Sequence, residues 1–188
     1  MVFNEQRILT LIGYRKAHKI NPAVLKLIAE EGDKIHSLLR PAALYTILDY
    51  SETNRHSIFN HADQVAICVC TIGPDLEKKS TELLEKNDIL RGLIWDAFGS
   101  EAVEQIANKT DLMIADKALR MGLWPSKRFS PGYRHWPLEE QRFIFRMLPA
   151  GKIGVRLNAA FMMIPRKSIS FRVNFYKDKS LTTRKIFS

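Results

Sequence analysis

Six consecutive residues, Arg128-Phe129-Ser130-Pro131-Gly132-Tyr133, carry the chemistry most easily read from this chain. Pro131 fixes one backbone torsion and Gly132 permits positive φ, so the pair suits a type II turn. Backbone N–H and C=O groups on such a turn are exposed and can bond a carboxylate or an adenine edge. Arg128 offers a planar fork of donors that matches a carboxylate in two parallel bonds. Tyr133 adds a ring to pack and a hydroxyl to donate. Together they suit a small ligand with a carboxylate and a flat ring. An ordinary surface loop has the same composition, and nothing within the six residues decides between the two.

Other reactive side chains form weaker patterns. Cys68 and Cys70 lie on one face of an apolar segment, too close in sequence on a stiff strand for an expected disulfide, and read as small buried hydrophobes. His56 and His61 share a polar stretch but lack a third ligand nearby. Ile94, Trp95 and Phe98 keep helical spacing and read as core. Trp124 and Trp136 flank the Arg-to-Tyr segment, and one of them is a candidate wall for its groove. No triad of nucleophile, base and orienting group is evident, nor a pair of carboxylates set for acid–base work.

The elements that must position these residues follow from periodicity and punctuation. Arg7 to Tyr14 alternates, with Ile8, Thr10 and Ile12 on one side, and is expected as a strand. Asn21-Pro22 opens a helix that Pro41 must end. Leu44 to Tyr50 and Gln64 to Thr71 read as strands, with a polar connection from Ser51 to His61. Gly73-Pro74-Asp75 starts a helix to about Lys86. Asp88 starts another, expected to pause at Phe98-Gly99-Ser100, where Ser100 can cap a further helix ending at Gly122. Leu138 to Leu148 is a short amphipathic helix, and Gly154 to Leu157 and Ser168 to Tyr176 are strands. Helices fall between strands without strict alternation, so the expected class is α+β, a mostly antiparallel twisted sheet with helices packed on it.

The chain has 188 residues, 46% hydrophobic and 26% charged, which suits one domain over residues 1–176 and a basic, partly mobile tail over 177–188. No apolar run is long enough to span a bilayer, and the N-terminal residues lack a signal-peptide pattern, so a cytoplasmic location is expected. A net charge of +9 favours acidic partners, and much of the excess follows residue 120.

The Arg-to-Tyr segment belongs to a longer series. Thr71-Ile72-Gly73-Pro74 precedes it, as does Asp96-Ala97-Phe98-Gly99-Ser100-Glu101-Ala102-Val103-Glu104. Trp136-Pro137-Leu138, Gln141, Phe145, Gly154-Val155-x-Leu157, Met163-x-Pro165 and Lys167-Ser168-x-Ser170 follow it. In this order and spacing, the series resembles the reactivation (S-adenosylmethionine-binding) domain of cobalamin-dependent methionine synthase and the stand-alone proteins related to it. The resemblance spans roughly residues 40 to 175.

The resemblance implies a methionine synthase activation-domain-like fold and a shallow groove for S-adenosylmethionine. It implies a reactivation subunit rather than a self-sufficient enzyme. The cobalamin would be carried by a separate methionine synthase or other corrinoid protein, with a flavodoxin-type protein as electron donor. The family's motif falls on Arg128, Gly132 and Tyr133, with backbone contacts from Ser130. Arg128 would take the methionine carboxylate. The family's acidic contact falls on Glu104, with Glu101 as the nearby alternative, to meet the ammonium or ribose. No residue need act as acid or base, because a sulfonium methyl is already activated; positioning suffices.

Departures from the family pattern are specific. His135 has no carried-over role, an acidic contact early in the large enzyme's domain has no match, and Tyr176 is only a candidate for a late tyrosine. The cysteine cluster that ends many stand-alone relatives has no counterpart, so no iron–sulfur role is implied. Arg166-Lys167-Ser168 reads either as a basic contact to a partner or as an exposed turn. Charge with interspersed aromatics also fits a nucleic-acid-binding module. A scaffold that docks on a corrinoid protein without binding S-adenosylmethionine is the remaining reading.

Overall fold

The segment Val65-Ala66-Ile67-Cys68-Val69-Cys70 is apolar at every position because both of its faces are buried. In the computed structural model, which describes residues 1–14, 20–53, 61–133 and 136–182, this segment is the heart of strand β2 (Gln64–Thr71). It pairs antiparallel with β1 (Ala42–Asp49) on one side and with the later strand Ser168–Tyr176 on the other. Val65, Ile67 and Val69 point to one layer, and Ala66, Cys68 and Cys70 to the opposite one. The one-residue alternation of a strand therefore builds two cores from one segment.

The layer under Ala66, Cys68 and Cys70 is helical. Helix α1 (Glu5–Leu11) and helix α2 (Pro22–Ile35) pack with α3 (Asp75–Glu85) around α4 (Ile89–Arg120). Ile8, Ile28, Leu76, Ile94 and Phe98 meet in their core. Farther along α4, Ala107, Ile114 and Ala118 pack on the sheet with Phe171, Val173 and Phe175. The chain next makes a short edge strand, β3 (Trp124–Pro125), and then helix α5 (Gln141–Met147) on the sheet's other face. A small hairpin of β4 (Arg156–Leu157) and β5 (Met163–Ile164) leads into β6 (Ser168–Tyr176). The four-stranded sheet runs β1-β2-β6-β3, with every pairing antiparallel. The expected α+β class is the one observed.

Two expectations need correction. Residues 7–14 form no strand: α1 covers Glu5–Leu11. Asn4 caps it by accepting a hydrogen bond from the Arg7 amide at 3.2 Å, and Gly13, at φ +97°, lets the chain leave it. Ile8 and Ile12 lie four residues apart, so they satisfy a helix face as well as an alternating one. The second correction concerns α4, which passes through Phe98-Gly99-Ser100 without a break and is about 48 Å long. Ser100 caps nothing; its hydroxyl bonds back to the Asp96 carbonyl at 3.2 Å. Gly99 is a contact glycine, since a Cβ there would stand 2.8 Å from Leu76 Cδ2.

Smaller differences lie at element ends. The strand at 154–157 shrinks to Arg156–Leu157, because Gly154 at φ +73° closes a preceding 3₁₀ turn. Residues 177–182 of the expected tail are tied down: the Lys177 amide bonds Asp63 at 2.7 Å, and Thr182 Oγ1 bonds the Pro125 carbonyl at 2.5 Å. Residues 183–188 and His56 lie outside the described residues. Among the described residues, no helix is long and apolar enough to cross a membrane.

Candidate ligand-binding groove

A bulge at the sheet edge aims Arg128. From Pro125, paired with Phe175, to Phe129, paired with Arg172, the edge segment takes four residue steps against three on β6. Phe129 and Arg172 exchange both backbone hydrogen bonds, at 2.9 and 2.8 Å. The extra residue re-aims its neighbours. Phe129 joins Arg172 and Trp136 on the α5 face, with the Arg172 guanidinium 5.1 and 5.2 Å from the two rings. Arg128 turns to the α4 face, 5.6 Å over the Phe171 ring. There its Nη2 meets Glu104 Oε2 of α4 at 2.5 Å. Among the described residues, its buried Nη1 has no hydrogen-bond partner.

The turn that follows has the form its residues suggest. Gly132 takes φ +86°, the Tyr133 amide bonds the Ser130 carbonyl at 3.4 Å, and the Gly132 amide bonds the Trp136 carbonyl at 2.7 Å. Positive φ at the third turn position is what glycine supplies. Tyr133 stands out from this turn, 73% exposed.

Two connected hollows share Glu104, Ser130, Tyr133 and Ile169. The first, with a cavity volume of ≈ 440 Å³, adds Lys127, Arg128 and Phe129 and is the charged lobe. The second, ≈ 330 Å³, has apolar walls from Pro131, Leu138, Met162 and Met163 and polar groups from Gln141, Ser168 and Ser170. Hollows of this size suit a small molecule.

The second lobe is built from locked parts. Buried Gln141 accepts from Ser170 Oγ at 3.2 Å and donates from Nε2 to the Phe161 carbonyl at 2.8 Å. Asn158 Oδ1 accepts from the Ala160 and Met162 amides, both at 2.9 Å. Phe161 adopts φ +59°, unusual for a bulky residue, under the Arg142 guanidinium 4.8 Å from its ring. The turn before β6 is clamped as well. Glu77 accepts from the Arg166 and Lys167 amides, while Lys167 Nζ pairs with Asp96 and bonds Ser100 Oγ, each at 2.8 Å. Lys167 is therefore spent on α4, and of the two cations only Arg166 stays exposed at the groove.

Of the residues singled out in the sequence, Glu104, Arg128, Ser130 and Tyr133 line this groove, and Gly132 shapes the turn beside it. Glu101 does not line it. It is buried and pairs with Arg7 of α1 at 2.5 Å. Tyr176 is on the other face of the sheet, where its hydroxyl accepts from Asn174 Nδ2 at 3.0 Å. Neither Trp124 nor Trp136 forms a wall: Trp136 is buried with α5, and Trp124 pairs with Tyr176 across the edge. Ile169, Met162 and Gln141 were missed as lining residues. Alternation along β6 was the available signal for Ile169, which shares the α4 side with Phe171.

The two cysteines are free and fully buried, their sulfurs 3.5 Å apart beneath this region. Burial pushes the Cys68 thiol well up, so it stays protonated. Cys70, hydrogen-bonded to Cys68 and next to Thr110, is the member that ionises more easily. Burial also lowers the Arg172 guanidinium, to about 10.

An antiparallel sheet with a long helix on one face and a groove at its bulged edge defines the class of domain. That fold is shared with a solved structure described as the MetH reactivation domain bound to AdoHcy. The TM-score is 0.66, over 88% of this chain and 67% of that chain, at 15% sequence identity. No protein-family model matches the sequence, and no curated protein does either.

Proposed function

We propose that this protein binds S-adenosylmethionine in the groove between α4 and the 127–133 segment. There it supports reductive methylation of cobalamin carried by a separate methionine synthase or related corrinoid protein. The observation that carries this reading is the Arg128–Glu104 pair with an unpartnered Arg128 Nη1. A free amino-acid group has a carboxylate and an ammonium close together. It can exchange with this pair without stranding either charge: the carboxylate takes Arg128, and the ammonium takes Glu104. The unpartnered Nη1 gains an acceptor in the process. The second lobe, with apolar walls and convergent polar groups, suits a nucleoside, and Ser130 offers its backbone to the ring. S-adenosylmethionine combines those two parts.

The residues of the chain then have simple tasks. Arg128 and Glu104 orient the amino-acid end. Gly132 keeps the turn close, and exposed Tyr133 forms an outer wall at the open side, where a partner's cofactor would approach. When bound, S-adenosylmethionine supplies a methyl group already activated by its sulfonium, and an electron donor of flavodoxin type would hold the partner's cobalt reduced. Placement rather than acid–base chemistry is the contribution of this chain. A resemblance to reactivation domains in the motif series and a shared fold support the assignment.

Isothermal titration with S-adenosylmethionine tests it. The native protein is expected to bind, and Arg128→Ala is expected to lose at least about tenfold in affinity, about 1.4 kcal/mol. Absence of binding by the native protein would leave a docking scaffold as the surviving reading. A second assay follows the visible spectrum of a cob(II)alamin-loaded methionine synthase mixed with this protein, a reductant and S-adenosylmethionine. Conversion to methylcobalamin is expected only in the complete mixture.

A further inference from the structure

Charge is segregated along this chain. From Gln141 to Lys177 there are eight Lys or Arg residues and no Asp or Glu. Some of these cations are consumed inside the fold. Lys167 pairs with Asp96, Lys177 with Asp63, and buried Arg172 bonds Asn174. Arg142 and Arg146 are different. They are exposed, one turn apart on α5, and among the described residues neither makes an ion pair or hydrogen bond. Stacking on Phe161 holds the Arg142 guanidinium in place with its donors unspent.

These two arginines also border a hollow of ≈ 510 Å³, with Phe143, Phe145 and Leu157 as its apolar part and Glu139 and Glu140 at its edge. The hollow is separate from the groove and shares no lining residue with it. Aromatic and arginine side chains around a concavity are the composition of a protein contact. A nucleic-acid strand fits less well, because its phosphates recur at every nucleotide and two carboxylates stand beside the arginines. A folded protein can place acids against Arg142 and Arg146 and leave the glutamates unopposed.

We infer that the α5 face docks an acidic protein surface, one that presents two carboxylates about 6 Å apart, as a helix does at positions i and i+4. This contact is independent of what the groove binds. The arginines grip the carboxylates, and Phe145 and Leu157 supply the apolar contact between them.

The test uses the full chain and two fluorescent probes at low salt. One is a stapled helical peptide with glutamates at i and i+4; the other is a single-stranded oligodeoxynucleotide. The peptide is expected to bind. Arg142→Glu/Arg146→Glu is expected to weaken it at least about tenfold, since reversal puts like charges together. Arg146→Glu alone, which leaves the Phe161 stack intact, should lose part of that. Lys109→Glu/Lys117→Glu on α4 changes net charge equally and is expected to weaken binding less than about threefold. An equal loss in this control would overturn the inference, because net charge alone would explain binding. So would a native protein that ignores the peptide, or an oligonucleotide that binds more tightly with the same dependence on the α5 arginines.

Discussion

Arg128 shows how one side chain can be held ready and still be available. Its Nη2 is spent on Glu104, its face lies over Phe171, and its Nη1 has no partner among the described residues. Both members of the pair are partly exposed, so the pair itself contributes little to stability, at most about 1 kcal/mol. Its value is geometric: the fork is fixed at the mouth of the charged lobe. This separates charge from shape in a single substitution. Arg128→Lys keeps a cation opposite Glu104 but loses the planar fork. Titration with S-adenosylmethionine is expected to show about a tenfold loss, while the melting temperature stays within about 2 °C of native. A lysine variant that binds as well as native would mean that the fork has no role.

At the scale of elements, α4 is the backbone of the groove. It carries Glu104 on one wall and, one and two turns earlier, the Ser100 and Asp96 groups that hold Lys167 and hence the start of β6. Gly99 makes that approach possible, because Leu76 and Lys167 occupy the space a side chain would need. Gly99→Val therefore adds volume to a filled contact and a β-branched residue to a helix. A loss of about 1–3 kcal/mol is expected, read as a lower denaturation midpoint. This glycine also marks where sequence reading failed. Phe-Gly-Ser has the composition of a helix break followed by a cap, and only the close contact with Leu76 and Lys167 explains the glycine otherwise. Strands β2 and β6 were legible to the residue, because a short continuous apolar run in β2 and apolar–polar alternation in β6 stop at flanking breakers. In α1, Ile8 and Ile12 satisfied two periods at once, and the cap at Asn4 was the neglected signal. That miss spread to the groove: Glu101 and Glu104 are three residues apart on one helix, and nothing local separates them. What separates them is α1, whose Arg7 takes Glu101 and leaves Glu104 to face Arg128.

For the molecule as a whole, the helical layer is joined by a buried carboxylate far from the groove. Glu31 of α2 is only 3% exposed, yet it accepts from Trp95 Nε1 of α4 at 2.7 Å and pairs with Lys34 at 2.8 Å and Arg91 at 3.2 Å. Burial alone would raise its pKa. The hydrogen bonds from Lys34 and Trp95, with the charges of Lys34 and Arg91, outweigh that and hold it below the ordinary 4.5. A folded pKa below the unfolded one means that the unfolded chain binds the proton more readily as the solution is acidified. The stabilising contribution is therefore fully present above the unfolded value of 4.5 and is lost as pH falls through the lower folded value. Glu31→Gln removes this dependence. Its melting temperature is expected to fall less steeply with acid below about pH 5 than the native one. At neutral pH the variant should be less stable by about 1–3 kcal/mol, because the indole and two cations lose a charged partner. S-adenosylmethionine affinity at neutral pH should be unchanged, since the Glu31 network and the Arg128–Glu104 pair share no residue. A native protein whose acid limb matches that of Glu31→Gln would place the titrating group elsewhere.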